Sequence, residues 1–104
     1  MTTTVPVGLD WGQAMEVLLE WEGRQVLVIP FLGPGISFEP VRGPLTLEHP
    51  RKGVVRLRFD QMGIALPKAT FIEAGWVAGH EDHGLSIVQG GARVDVFVDD
   101  EAEE

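Results

Sequence analysis

The sequence predicts a mainly β domain of the α+β class, with one N-terminal helix followed by a small curved antiparallel sheet or barrel of five to seven strands. Three observations carry that expectation. A single segment near the N-terminus repeats its apolar residues at helical spacing, between a capping residue and a glycine. Every later segment either alternates apolar with polar residues or forms a short continuous apolar run. Thirteen glycines and seven prolines in 104 residues punctuate those segments at short intervals.

The helical segment is 10–23, DWGQAMEVLLEWEG. Asp10 fits an N-cap, and Gln13 stands three residues on in the capping-box position. Wound as a helix, Gln13, Glu16 and Glu20 share a polar face. Trp11, Ala14, Met15, Leu18 and Leu19 form the opposite, apolar face. Gly23 sits where a terminating glycine belongs. The competing reading is a strand, because Met15, Val17, Leu19 and Trp21 also alternate; the paired boundary residues favour the helix.

The remaining segments read as strands. Residues 24–32 hold the run Val26–Leu27–Val28–Ile29 and Phe31, the signature of a strand buried on both faces, with Pro30 placing its far end at an edge or bulge. Gly33–Pro34–Gly35 is a turn. Residues 36–49 carry Ile36, Phe38, Val41, Leu45 and Leu47 but are broken by Pro40 and Gly43–Pro44, which fits one bent strand or two short ones. Residues 53–60 alternate cleanly, with Val55, Leu57 and Phe59 opposite Arg56, Arg58 and Asp60. A short strand over 62–66 closes at Pro67. Residues 71–78 and 84–89 flank the polar turn Gly79–His83, and Gly90–Gly91 turns the chain into a last strand over 92–99. There Val94, Val96 and Val98 oppose Arg93, Asp95 and Asp99, and Phe97 interrupts the polar face, a sign of two-sided burial or of a contact surface.

This order of elements over residues 10–98 resembles that of Sm-like and SH3-like barrels. The resemblance is architectural and implies a small barrel; no family motif is present to carry a function across. An Sm-type RNA loop relies on asparagine, and this chain has none.

A chain of 104 residues buries roughly 60–65% of its unfolded surface, enough for one core. Cysteine is absent, which excludes a disulfide scaffold, a thiolate metal site and a thiol nucleophile. The net charge of −8 is concentrated at the C-terminus: residues 99–104, DDEAEE, hold five acids, whereas residues 1–98 hold 8 basic and 11 acidic residues. Residues 1–9 are expected to be a flexible lead-in, 10–98 a globular domain and 99–104 a disordered acidic tail. The longest apolar run, Val26–Leu32, is far short of the ~20 residues that span a bilayer. With no leader pattern at Met1–Thr4, the expected location is the cytoplasm.

Two clusters carry candidate chemistry. His80, Asp82 and His83 have the spacing to converge on a divalent cation across a tight turn, with His49 as a distant third imidazole; the plainer reading is a solvated hairpin tip. Arg51, Lys52, Arg56 and Arg58 supply half of the basic residues within eight positions. Arg56 and Arg58, two apart on a strand, project from one face about 6–7 Å apart, a spacing suited to a phosphate backbone or an acidic protein. The plainer reading sets them against acids of the neighbouring strand. No tyrosine interleaves them, so the stacking platform of a single-strand binder is missing and nucleic acid is not the expected partner. The acidic tail is a possible electrostatic cover for that patch.

Gly33–Pro34–Gly35 lacks the spacing of a phosphate loop, and no hydroxyl nucleophile has an assignable base. The chain therefore reads as a non-catalytic interaction or accessory module that needs no cofactor. Its expected partner is another protein or a second copy, engaged through a strand edge or through a helix face displaying Trp21. Polyanion binding through 51–58 and metal binding at 80–83 are the alternatives.

Overall fold

The computed structural model describes residues 8–33, 35–36, 38–59 and 62–98. The expected flexible lead-in and acidic tail fall largely on 1–7 and 99–104, outside the described residues.

A helix is followed by a seven-stranded antiparallel sheet: α1 (Trp11–Glu20), β1 (Gln25–Leu32), β2 (Val41–Arg51), β3 (Val54–Phe59), β4 (Met62–Pro67), β5 (Phe71–Trp76), β6 (Gly84–Gln89) and β7 (Ala92–Val98). The strand order is β4-β3-β2-β1-β7-β6-β5. Each strand pairs with its successor except at β4 and β5, and β7 returns to pair with β1. The break is bridged by one 3-10 turn, Lys68–Thr70. Three residues thus join the two outer strands of the sheet, which is possible only because the sheet curls until its edges meet at that corner. Gln89 of β6 fastens the corner, its Nε2 donating to the Pro67 carbonyl and to Thr70 Oγ1, each at 3.0 Å. No β4–β5 ladder exists among the described residues, so the sheet is curved but not closed.

Local chemistry explains the elements. The Asp10 carboxylate accepts from the Gln13 amide at 2.8 Å and the Gln13 side chain accepts from the Asp10 amide at 2.9 Å, a reciprocated capping box. The helix ends at Glu20, with Trp21 as C-cap, rather than running to the left-handed Gly23. β1 is the central strand of the order, which accounts for its continuous apolar run. Val26 and Val28 are buried on the concave side, while Leu27 and Ile29 are half-buried on the convex side. Pro30 is accommodated because β2 pairs with β1 only as far as Val28–Val41. Residues 36–49 do not make two strands: β2 is one bent strand. Its first four residues pair with β1 and the rest with β3, and the switch falls at Pro44–Leu45, where proline lacks the amide a two-sided ladder would need.

The core collects Leu18 from α1 with Val26, Val28, Leu45, Leu57, Phe59, Leu66, Leu85, Ile87 and Val96 from the sheet, each at most 2% exposed. Burying each such side chain is worth about 1.5–3 kcal/mol. The helix lies against β5, with Trp11 edge-on to Phe71 at 5.6 Å and Trp21 tilted against Trp76 at 6.4 Å. Leu9, just before the helix, bridges to Ala74 and covers part of the β5 edge. No helix among the described residues is long and apolar enough to cross a membrane.

Candidate functional site

Three surfaces emerge: the basic β2–β3 hairpin, the 79–83 turn with the convex face beside it, and the open edge of the sheet at β4.

In the hairpin, Arg56 and Arg58 do share one face, because β3 alternates regularly and pairs Arg56 with Glu48 and Arg58 with Thr46. Both guanidinium groups converge on one acid. Arg56 Nη1 donates to Glu48 Oε1 at 3.0 Å, and Arg58 Nη1 lies 3.9 Å from the same oxygen. Their stems cross Gly63 of β4, where an added Cβ would sit 3.3 Å from Arg58 Cδ and 3.5 Å from Arg56 Cδ. The side chains are still about two-fifths exposed, so this triad is worth little in stability and chiefly directs the two cations. Arg51 and Lys52 are apart from it, exposed at the tip, beyond a register shift between Glu48 and Arg51 that carries His49 and Pro50. The four basic residues therefore do not form one surface: two serve Glu48 and two stand at the hairpin end.

The 79–83 turn is tied down by its backbone. The His80 carbonyl accepts from the amides of His83 and Gly84, and the His83 carbonyl accepts from Val98. Asp82 adopts a left-handed φ of 71°, which an aspartate tolerates better than most residues. His80 packs edge-on to Phe97 at 5.3 Å. His80 and His83 line a groove of about 600 Å³ with Arg24, Leu27, Ile29 and Phe97, a mainly apolar lining with one arginine. His49 lines a different groove, against α1. Among the described residues, no group of three or more His, Asp or Glu is arranged to hold a metal ion.

Phe97 covers Gly84 from the outside and stays half-exposed. Across the convex face run the pairs Leu27–Phe97, Ile29–Asp95 and Phe31–Arg93. Asp95 is 8% exposed, with Arg93 Nε at 3.2 Å, and the Arg93 guanidinium stacks over the Phe31 ring at 4.2 Å.

Trp21 is not a surface residue. It is 4% exposed and belongs to the core against Trp76, so the expected tryptophan-bearing helix face does not exist. The physical reason lies in the spacing of Ala14, Leu18 and Trp21, at i, i+4 and i+7, which continues the buried stripe. Leu19 is left 59% exposed in its place.

The β4 edge was weakly marked in the sequence. Among the described residues Met62–Pro67 has β3 as its sole strand neighbour, and it contains no charged residue. Gly63 and Ala65 are exposed, while Met62 and Ile64 are half-buried. Met62 and Ile64 also line an apolar groove shared with Leu32 and Phe38, which are 52% and 49% exposed. The signal available beforehand was negative: an edge strand normally carries a lysine, another charge or a bulge as protection, and this one carries only its terminal proline. Comparison of the chain with protein-family models, with curated proteins and with solved structures finds no match.

Proposed function

We propose that this chain is a non-catalytic interaction module that associates with a second copy of itself by antiparallel pairing of β4. The observation that carries the reading is the uncharged β4 edge, lying beside the exposed Leu32 and Phe38. Backbone groups along such an edge are a ready template for another strand. The other outer strand, β5, is a poorer template: Leu9 occupies its edge at Ala74, and its register shifts between Phe71 and Glu73.

Self-pairing has a natural register. With Ile64 on the two-fold axis, Ile64 opposes Ile64, Gly63 opposes Ala65 and Met62 opposes Leu66, so apolar side chains meet on the concave side and small ones on the convex side. A six-residue strand with a few flanking side chains makes a small interface, which implies a concentration-dependent dimer with Kd on the order of 1–100 μM.

Sedimentation velocity over a dilution series tests this. The wild-type chain is expected to shift from dimer to monomer on dilution. Ala65→Lys places a cation beside Arg56 on the exposed face of the edge and is expected to weaken the dimer about tenfold while the monomer keeps the wild-type circular dichroism spectrum. A monomer at several hundred micromolar, or a dimer indifferent to Ala65→Lys, overturns the proposal.

A further inference from the structure

A second surface, separate from the β4 edge, lies where α1 crosses the open end of the β2–β3 hairpin. The groove there, about 470 Å³, has Trp11 and Met15 of the helix and Val54 and Val55 of β3 as its apolar lining, with His49, Arg51 and Lys52 at its rim. Trp11 is half-buried and held edge-on against Phe71, so the indole is fixed in place before any partner arrives. Lys68 hangs from the same corner, its amide donating to the Gly53 carbonyl at 2.8 Å.

The charge pattern at this corner is one-sided. Arg51, Lys52 and Lys68 are all exposed and have no ion pair among the described residues. Glu48, the carboxylate of the hairpin itself, is engaged by Arg56 and Arg58. Six of the eight basic residues of a chain with net charge −8, Arg42, Arg51, Lys52, Arg56, Arg58 and Lys68, thus lie on β2, β3, the turn between them and the turn after β4. Three of them stand clear of compensation beside an aromatic and aliphatic floor.

We propose that this groove docks a short acidic peptide segment bearing one large apolar side chain. Its carboxylates lie against Arg51, Lys52 and Lys68, and its apolar side chain rests on Trp11 and Met15. Charge complementarity selects the acidic flanks, and the desolvated floor selects the apolar residue. A nucleic acid fits less well. The corner offers a single aromatic ring, already engaged at its edge, where single-strand binders present successive stacking platforms. A phosphate chain running past the corner also meets the acidic remainder of the molecule. The proposal does not depend on β4 pairing, and either can fail without the other.

The test uses the full-length chain, labelled with 15N, titrated separately with three probes: the hexapeptide Asp-Asp-Glu-Leu-Glu-Glu, the hexapeptide Asp-Asp-Glu-Ala-Glu-Glu, and a twelve-nucleotide oligothymidylate. The leucine peptide is expected to shift the Trp11 indole and the amides of Met15, Lys52 and Val54. The alanine peptide, which reproduces residues 99–104, is expected to bind about fivefold more weakly for want of the apolar anchor. The double variant Arg51→Glu, Lys52→Glu is expected to lose at least about tenfold in affinity while keeping the wild-type thermal midpoint, since both residues are exposed at the hairpin tip. Absence of shifts at millimolar leucine peptide overturns the site. Equal binding of the two peptides overturns the apolar half of the argument, and insensitivity to charge reversal overturns the electrostatic half. Tighter binding of the oligothymidylate at the same residues reassigns the groove to nucleic acid and overturns the peptide.

Discussion

Gly84→Ala is expected to destabilise the protein by about 1–2 kcal/mol, although alanine is ordinarily the better strand residue. A Cβ at this position would lie 2.8 Å from both Cδ2 and Cε2 of the Phe97 ring and 3.1 Å from His80 Cβ. Carbon atoms settle at about 3.5–4.0 Å, so the ring must withdraw by roughly 0.7 Å or more. It is not free to do so, with Leu27 paired to it across β1 and His80 packed edge-on at 5.3 Å. Overpacking of this kind costs roughly 1–3 kcal/mol. The reduced entropy of the unfolded chain returns about 0.4–1 kcal/mol, because the backbone at Gly84 is not in the left-handed region. The balance corresponds to a thermal midpoint lower by roughly 4–10 °C. Urea unfolding followed by tryptophan fluorescence measures it directly. Gly75→Ala is the control: Gly75 lies on the adjacent strand, on the same convex face, and its added Cβ would meet nothing within 4 Å. That variant should be neutral or slightly stabilising. In a Phe97→Leu background the cost of Gly84→Ala should fall by about 1 kcal/mol, the coupling between two residues in contact. If Gly84→Ala is as harmless as Gly75→Ala, or if its cost is unchanged by Phe97→Leu, the contact is not what limits the site.

Two further outcomes follow from the fold. Asp10→Ala removes the bond to the Gln13 amide and opens the capping box, for an expected loss of about 1 kcal/mol read from the urea midpoint. Trp21→Ala empties a core position against Trp76 and should cost about 3–5 kcal/mol while leaving the association state of the folded fraction unchanged; a stable variant with altered association would return Trp21 to the surface.

Local signals in the sequence were reliable wherever a single element settled the matter. Asp10 and Gln13 lie one helical turn apart, so their mutual capping needs nothing beyond the segment itself. The alternation of Val55, Leu57 and Phe59 against Arg56 and Arg58 is likewise a property of one strand, and β3 is buried in that pattern. Local pattern is ambiguous where a partner element decides. The apolar face expected for α1 includes Leu19 and leaves out Trp21, because the wheel contains both alternatives and the choice depends on where β5 places Trp76. Residues 36–49 fit one bent strand or two by sequence alone, since the bend of β2 arises from exchanging β1 for β3 as a neighbour. The basic stretch looked like one patch because charge type is visible in a sequence. Its division between Glu48 and the hairpin tip depends on cross-strand register.

By itself, then, the sequence determined the class of structure. It set one capped helix followed by five to seven short strand segments, with turns where glycine and proline stand, because hydrophobic periodicity and backbone preference act over a few neighbouring residues. Tertiary structure alone decided that β7 returns to β1, that Pro67 and Phe71 meet across a three-residue turn, and that β4 is left with one neighbour. It also brought Trp11 to the side of Arg51 and Lys52, some forty positions away in the chain. Those are consequences of how a twisted sheet curls to bury one face, a global optimum in which each strand's position depends on all the others.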